Sequence, residues 1–96
     1  MERIKTDTLA LSDGQTIAYT LSRGRFLVDV QTRAADGASH GVEVSSTSPG
    51  CPAQAEATRH RLTCEVNDTA SLVITNPTTF GLGPAQMGNI AIFRIP

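Results

Sequence analysis

Stretches in which apolar and polar residues alternate follow one another along most of the chain. Residues 25–32 show the pattern clearly, because Phe26, Val28 and Val30 alternate with polar residues such as Asp29. Successive side chains of a β-strand point to opposite sides of its sheet, so this period of two predicts strands with one buried face. Turn-forming pairs such as Asp13-Gly14 separate the stretches and are typical of hairpins.

The spacing of these stretches predicts an all-β protein. Short strands that recur between turn signals favour a sandwich or a barrel. We expect a single antiparallel β-sandwich domain over residues 1–96, immunoglobulin-like or jelly-roll-like, with a small closed barrel as the alternative. The sequence indicates about seven strands, near residues 3–11, 15–21, 25–32, 41–46, 60–66, 71–75 and 89–95.

Two of the predicted strands are apolar on both faces. Residues 71–75 contain Leu72-Val73-Ile74, and residues 89–95 are similarly apolar. Continuous apolar runs are typical of central strands that are covered on both sides. We therefore expect both strands to be central, and to be neighbours in one sheet.

The segment between residues 45 and 59 lacks the strand pattern. It is rich in Ser, Thr, Pro and Ala, and Pro52 stands where the first turn of a helix would tolerate it. The stretch is too short to form a stable helix alone. We predict a long loop with at most one short helical turn near residues 52–58.

Cys51 and Cys64 are the only cysteines. Cys51 lies in a turn-rich loop and Cys64 in a predicted strand, so a disulfide between them would hold that loop against the sheet. In the chain-entropy treatment a bridge of this span stabilises by roughly 2.5–3 kcal/mol. Two free thiols are one alternative. A metal site with His40 and His60 is another, although the order of these residues matches no common ligand spacing.

The disulfide would also indicate where the protein works, because disulfides persist in oxidising compartments. Charged residues make up 18% of the chain, below the usual ~25%. The polar surface must therefore come largely from Ser, Thr, Asn and Gln, as is common in exported β-rich domains. We expect a secreted or periplasmic, bacterial protein whose signal peptide has been removed. A cytoplasmic protein is the alternative, and no apolar run is long enough to span a membrane.

The sequence offers no catalytic or cofactor motif. It contains no Gly-x-Ser-x-Gly elbow, phosphate-binding loop or calcium loop, and we predict no catalytic residues, metal or cofactor. His40 and His60 are interpreted as solvent-exposed. The net charge of −1 and the four aromatic residues argue against nucleic-acid binding.

The segment 76–88 is long for a connection in a small domain, and long loops are often functional. Its apolar side chains either fold back as a lid over one end of the sandwich or form an exposed contact for a partner. The residues that we single out as a candidate contact loop are Asn76, Pro77, Phe80, Leu82 and Met87.

These features favour a small exported protein without catalytic activity that acts through protein contacts. The alternative is an accessory module of a secreted protein that binds carbohydrate or another ligand. That alternative depends only on the frequency of such binding among β-sandwiches. The identity of a partner and the oligomeric state stay open at this point.

Overall fold

The computed structural model describes residues 1–37 and 40–96, and these residues form β-strands and no helix. The part of the chain that the structure describes thus contains no helix that is long and apolar enough to cross a membrane. The strands are β1 (Glu2–Leu11), β2 (Thr16–Leu21), β3 (Gly24–Ala34), β4 (Val42–Ser46), β5 (Gln54–Ala57), β6 (Arg59–Val66), β7 (Ala70–Thr75) and β8 (Gln86–Ile95).

The strands form two antiparallel sheets of four, in the orders β1-β8-β3-β6 and β2-β7-β4-β5. Strand pairs are nested about the connection between β4 and β5, so the chain resembles one long hairpin rolled into two layers. This is the strand order of a jelly roll. The predicted all-β sandwich is confirmed, with eight strands rather than seven. The sheet order selects the jelly-roll-like alternative.

The two fully apolar strands, β7 and β8, are central as predicted, but each is central in a different sheet. The expectation that they would be neighbours in one sheet is therefore wrong. A two-layer sandwich has a single interior between its sheets, so each of these strands is fully buried on one face only, and each sheet has its own central strands.

The eighth strand, β5, lies where the sequence predicted a loop with at most one helical turn. It pairs with β4 at the edge of the second sheet, where Val44 is opposite Gln54 and Val42 is opposite Ala57. Because the backbone of an edge strand can hydrogen-bond to an existing neighbour, this segment becomes a strand without a strong strand pattern of its own.

The interior is built from the alternating apolar positions of both sheets. Along β3, for example, Phe26, Val28 and Val30 are fully buried. Burying each such side chain contributes roughly 1.5–3 kcal/mol. The remaining large and fully buried apolar side chains are Leu9, Val42, Val44, Leu72, Ile74, Ile90 and Ile92.

The two sides of the sandwich are closed by different interactions. At the side where edge strands β1 and β2 meet, the Tyr19 hydroxyl donates a hydrogen bond to Asp7 Oδ2 over 2.9 Å. Desolvation and this bond to Asp7 raise the pKa of the Tyr19 phenol. At the side of β5 and β6, the Cys51–Cys64 disulfide links the loop before β5 to β6 in the opposite sheet.

Candidate contact loop at one end of the sandwich

The connection between β7 and β8 extends over residues 76–85, which is shorter than the predicted segment 76–88. The difference arises because Gln86 begins β8. Met87, one of the five predicted contact residues, is therefore a strand residue. It pairs with Arg33 on β3 and is 45% exposed.

Asn76 fixes the two ends of this loop. Its side chain is buried, and its Nδ2 donates to the carbonyl oxygens of Leu11 at 3.0 Å and Pro84 at 3.1 Å. Its backbone N–H donates to the Gln15 carbonyl at 3.0 Å. Asn76 is thus a structural anchor rather than an exposed contact, and the neighbouring Pro77 is half-buried.

Asp13, in the turn between β1 and β2, holds the middle of the loop. Its Oδ1 accepts hydrogen bonds from the backbone N–H and the hydroxyl of Thr79, at 2.9 and 2.8 Å. Its Oδ2 accepts from the N–H of Gly81 at 2.6 Å. Desolvation raises the pKa of the Asp13 carboxyl, but the hydrogen bonds from Thr79 and Gly81 outweigh it and hold that pKa below its ordinary value.

The tip of the loop is a tight turn over residues 79–82. The Leu82 N–H donates to the Thr79 carbonyl at 3.1 Å. The two central residues, Phe80 and Gly81, have φ values of 57° and 81°. Positive φ at both central positions is the mark of a type I′ turn, in which Asn-Gly is the preferred pair. Phe80 occupies the first central position of the turn, at which Asn is preferred.

Both apolar side chains of this turn point into solvent. Phe80 is 93% exposed and Leu82 is 89% exposed. The interpretation of these residues as a lid over the end of the sandwich is therefore wrong. Leu11, Ile74 and the anchored Asn76 are buried without any contribution from these two side chains.

The predicted disulfide is confirmed. Cys51 and Cys64 are bonded, with their Cα atoms 4.2 Å apart, and both are buried. Hydrogen bonds reinforce the attachment of the loop to β6: the Glu65 N–H donates to Gly50 O at 2.9 Å, and the Ser48 hydroxyl donates to Glu65 O at 2.6 Å. Among residues 1–37 and 40–96, no three His, Cys, Asp or Glu side chains come together as metal ligands.

His60 is buried, so the interpretation of this residue as solvent-exposed is wrong. It is 3% exposed, and its Nε2 is 2.5 Å from the carbonyl oxygen of Val42 in the opposite sheet. The carbonyl can only accept, so Nε2 carries the proton and donates. His60 therefore joins the two sheets through the core, whereas His40 is exposed as expected.

The role of Asp13 in organising the contact loop is a feature that sequence reasoning missed. The expectation of a hairpin at Asp13-Gly14 is wrong, because the turn connects β1 and β2 in different sheets. The residues that Asp13 binds are 66 and 68 positions away. A pattern of local residues cannot reveal such a pairing. The adjacent polar residues Thr78 and Thr79 are the only local hint, since they offer the donors that a carboxylate needs.

No protein-family model matches the chain, and no curated protein matches it either. The functional argument therefore depends on the fold and on the geometry of the described residues. Within these, the turn at 79–82 combines an ordered backbone with two fully displayed apolar side chains. The site is best described as a candidate contact loop on a jelly-roll sandwich.

Proposed function

We propose that this protein is a small exported module without catalytic activity that binds another protein through the turn at residues 79–82. Phe80 and Leu82 are the apolar side chains that would enter the partner. Aromatic residues that become buried at the centre of an interface commonly supply much of its binding energy.

The observation that carries the proposal is the position of Phe80. A large apolar side chain with 93% exposure is unfavourable in water, and a φ of 57° is unfavourable for a residue with a Cβ. Neither the exposed ring nor the positive φ stabilises the folded domain. Residues held in unfavourable backbone conformations concentrate at functional sites. At this site the exposed Phe80 ring is the group that would contact a partner.

The surroundings of the turn support the same conclusion. Asp13 and Asn76 fix the backbone on both sides of Phe80 before any partner arrives. A loop that is already ordered loses little conformational entropy on binding, so more of the contact energy appears as affinity. Pro77 and Pro84 restrict the same segment further.

Export is the second part of the proposal and is supported by the disulfide. A buried bond between Cys51 and Cys64 is compatible with an extracellular or periplasmic location. Protein taken from its source cells in the presence of an alkylating agent tests this. Mass spectrometry is expected to show both cysteines unmodified until a reductant is added, whereas free alkylation of both thiols would contradict export.

The contact is tested with Phe80→Asn, which removes the ring and supplies the residue that the turn prefers. The free energy of unfolding is expected to stay the same or rise by about 0.5–1 kcal/mol, because strain at positive φ is relieved. Leu82→Ser removes the second side chain. Ile4→Ser is the matched control, since Ile4 is also an exposed apolar residue (41%) but lies on β1.

Binding is measured by presenting the immobilised proteins to the exported proteins of the source cells and then titrating each purified captured protein. A true partner binds wild type and Ile4→Ser alike and loses at least about tenfold in affinity for Phe80→Asn, a cost of about 1.4 kcal/mol. If every captured protein binds Phe80→Asn as well as wild type, the proposal fails. A glycan array that responds to all four proteins would favour the ligand-binding alternative instead.

A further inference from the structure

The outward face of the β1-β8-β3-β6 sheet carries most of the positive charge of the protein. Residues alternate between the interior and this face along β3, β6 and β8, and directly paired residues share a face. The charged residues placed on it by this register are Arg3, Arg25, Arg33, Arg59, Arg61, Asp29 and Glu65.

The distribution is strongly uneven for a chain whose net charge is −1. Five of the 8 lysine and arginine residues lie on this face but only two of the 9 carboxylates, so the face has a net charge of +3 and the rest of the chain −4. One of these arginines, Arg25, forms an ion pair with Glu65 at 3.3 Å. A surface with one dominant sign attracts a partner of the opposite sign and speeds its association.

A strip of apolar side chains lies between the arginines on this face. Leu27 and Phe93 are paired on β3 and β8, and both are half-buried. With Met1, Asp29 and Arg61 they line a shallow hollow of about 240 Å³. The apolar residues that continue the strip along β8 on the same face are Met87, Ala91 and Ile95.

We propose that this outward face, with an apolar strip between arginines, is a second binding surface and that it takes an acidic polypeptide. The apolar residues of that polypeptide would occupy the hollow at Leu27 and Phe93, and its carboxylates would meet the arginines on either side. With about 3.3 Å per residue and about 4.8 Å between strands, the face measures roughly 30 by 19 Å, an area of roughly 570 Å². That area is most of the ~800 Å² that one partner buries in a standard interface.

The composition of the face favours a polypeptide over a nucleic acid. Asp29 lies in the hollow itself, where it would repel a phosphate backbone. The strip offers one aromatic ring, Phe93, among aliphatic residues, whereas proteins that bind single strands stack successive bases on several rings. A polypeptide supplies aliphatic side chains for the strip and both signs of charge for the arginines and Asp29.

The probe is a synthetic peptide of about 10 residues, the length that follows one strand of the face, in which Glu alternates with Leu and Phe. Its affinity is measured by titration at several salt concentrations. Arg59→Glu/Arg61→Glu reverses two charges on β6, where both side chains are exposed. Lys5→Glu/Arg23→Glu is the matched control, because it changes the net charge equally at two exposed residues that lie off the face.

The peptide is expected to bind wild type with an affinity that falls as salt rises, and to lose about tenfold or more with Arg59→Glu/Arg61→Glu but only about threefold or less with the control pair. Arg59→Gln/Arg61→Gln, which changes the charge half as much, is expected to be intermediate and serves if the first variant does not fold. Equal losses for the two reversed pairs would overturn the proposal. So would tighter binding of a DNA oligonucleotide or of vesicles containing anionic phospholipid.

Phe80→Asn separates this surface from the contact loop. It is expected to bind the acidic peptide as tightly as wild type does, since Phe80 lies on the connection between β7 and β8 and not on the face. Loss of peptide binding in Phe80→Asn would place the peptide at the loop and refute the second surface, while leaving the proposed function intact.

Discussion

Reduction of the Cys51–Cys64 bond tests how this small sandwich holds its two layers together. The bond joins residues separated by 13 positions, and its loop begins at the midpoint of the rolled hairpin. In the chain-entropy treatment, closing a loop of this size stabilises the folded protein by about 3 kcal/mol at 25 °C. Domains of this size have only about 5–15 kcal/mol in total, so the loss should be large.

The assay is urea unfolding of the same protein with and without a reductant. The unfolding free energy is expected to fall by about 3 kcal/mol, which corresponds to a fall in Tm of roughly 12–24 °C. The slope of free energy against urea should stay the same or increase, because the reduced unfolded chain exposes more surface. Cys51→Ala/Cys64→Ala in oxidising buffer is the control and should match the reduced protein within about 1 kcal/mol.

A loss of less than about 1 kcal/mol, with an unchanged slope, would refute the reasoning. It would mean that the hydrogen bonds of Ser48 and Gly50 to Glu65 already hold the loop on β6 without the covalent bond. In that case the disulfide would form because the protein folds in an oxidising compartment, and it would contribute little to stability.

Two further predictions concern single residues. Because hydrogen bonds lower the pKa of Asp13 in the folded state despite its desolvation, their stabilising effect is present above the ordinary value of 3.8 and is lost as the pH falls through the lowered one. The amide resonances of Thr79 and Gly81 should therefore titrate below pH 3.8 and stay fixed in Asp13→Asn; a midpoint at or above 3.8 would contradict the clamp. His60→Ala should cost about 2–4 kcal/mol in thermal or urea unfolding, because it leaves a cavity and removes the hydrogen bond to the Val42 carbonyl. Arg61→Ala, on the exposed side of the same strand, should cost less than about 0.5 kcal/mol, and equal losses would show that His60 is not buried.

Most of the strands could be predicted from the sequence because their signal is local. One face of each strand is buried, so apolar residues at every second position, such as Phe26, Val28 and Val30, indicate directly which side chains face the core. The same reasoning should have placed His60 inside, since it shares a face with Leu62 and Cys64. The two neighbouring arginines favour a surface interpretation, but their side chains lie on the opposite face of β6.

The remaining features depend on contacts between distant residues. Strand β5 has no alternation of its own and owes its conformation to the free edge of β4. Asp13 binds Thr79 only because the fold brings the turn after β1 beside the connection before β8. The exposure of Phe80 was one of two outcomes that the sequence left open, because the way the loop packs on the rest of the domain is not encoded in its local residues.

The rolled-hairpin topology has a consequence for how the protein is made. Strand β8 lies between β1 and β3, so the first sheet cannot be completed until the last strand has left the ribosome. Pairings such as Glu2 with Arg94 join residues from opposite ends of the chain, and topologies dominated by such distant pairings fold slowly. Until β8 inserts, β1 and β3 have unpaired edges that can associate with other chains. The export that we propose would let such a chain cross a membrane unfolded and complete its sheet afterwards, in a compartment where its cysteines can be oxidised.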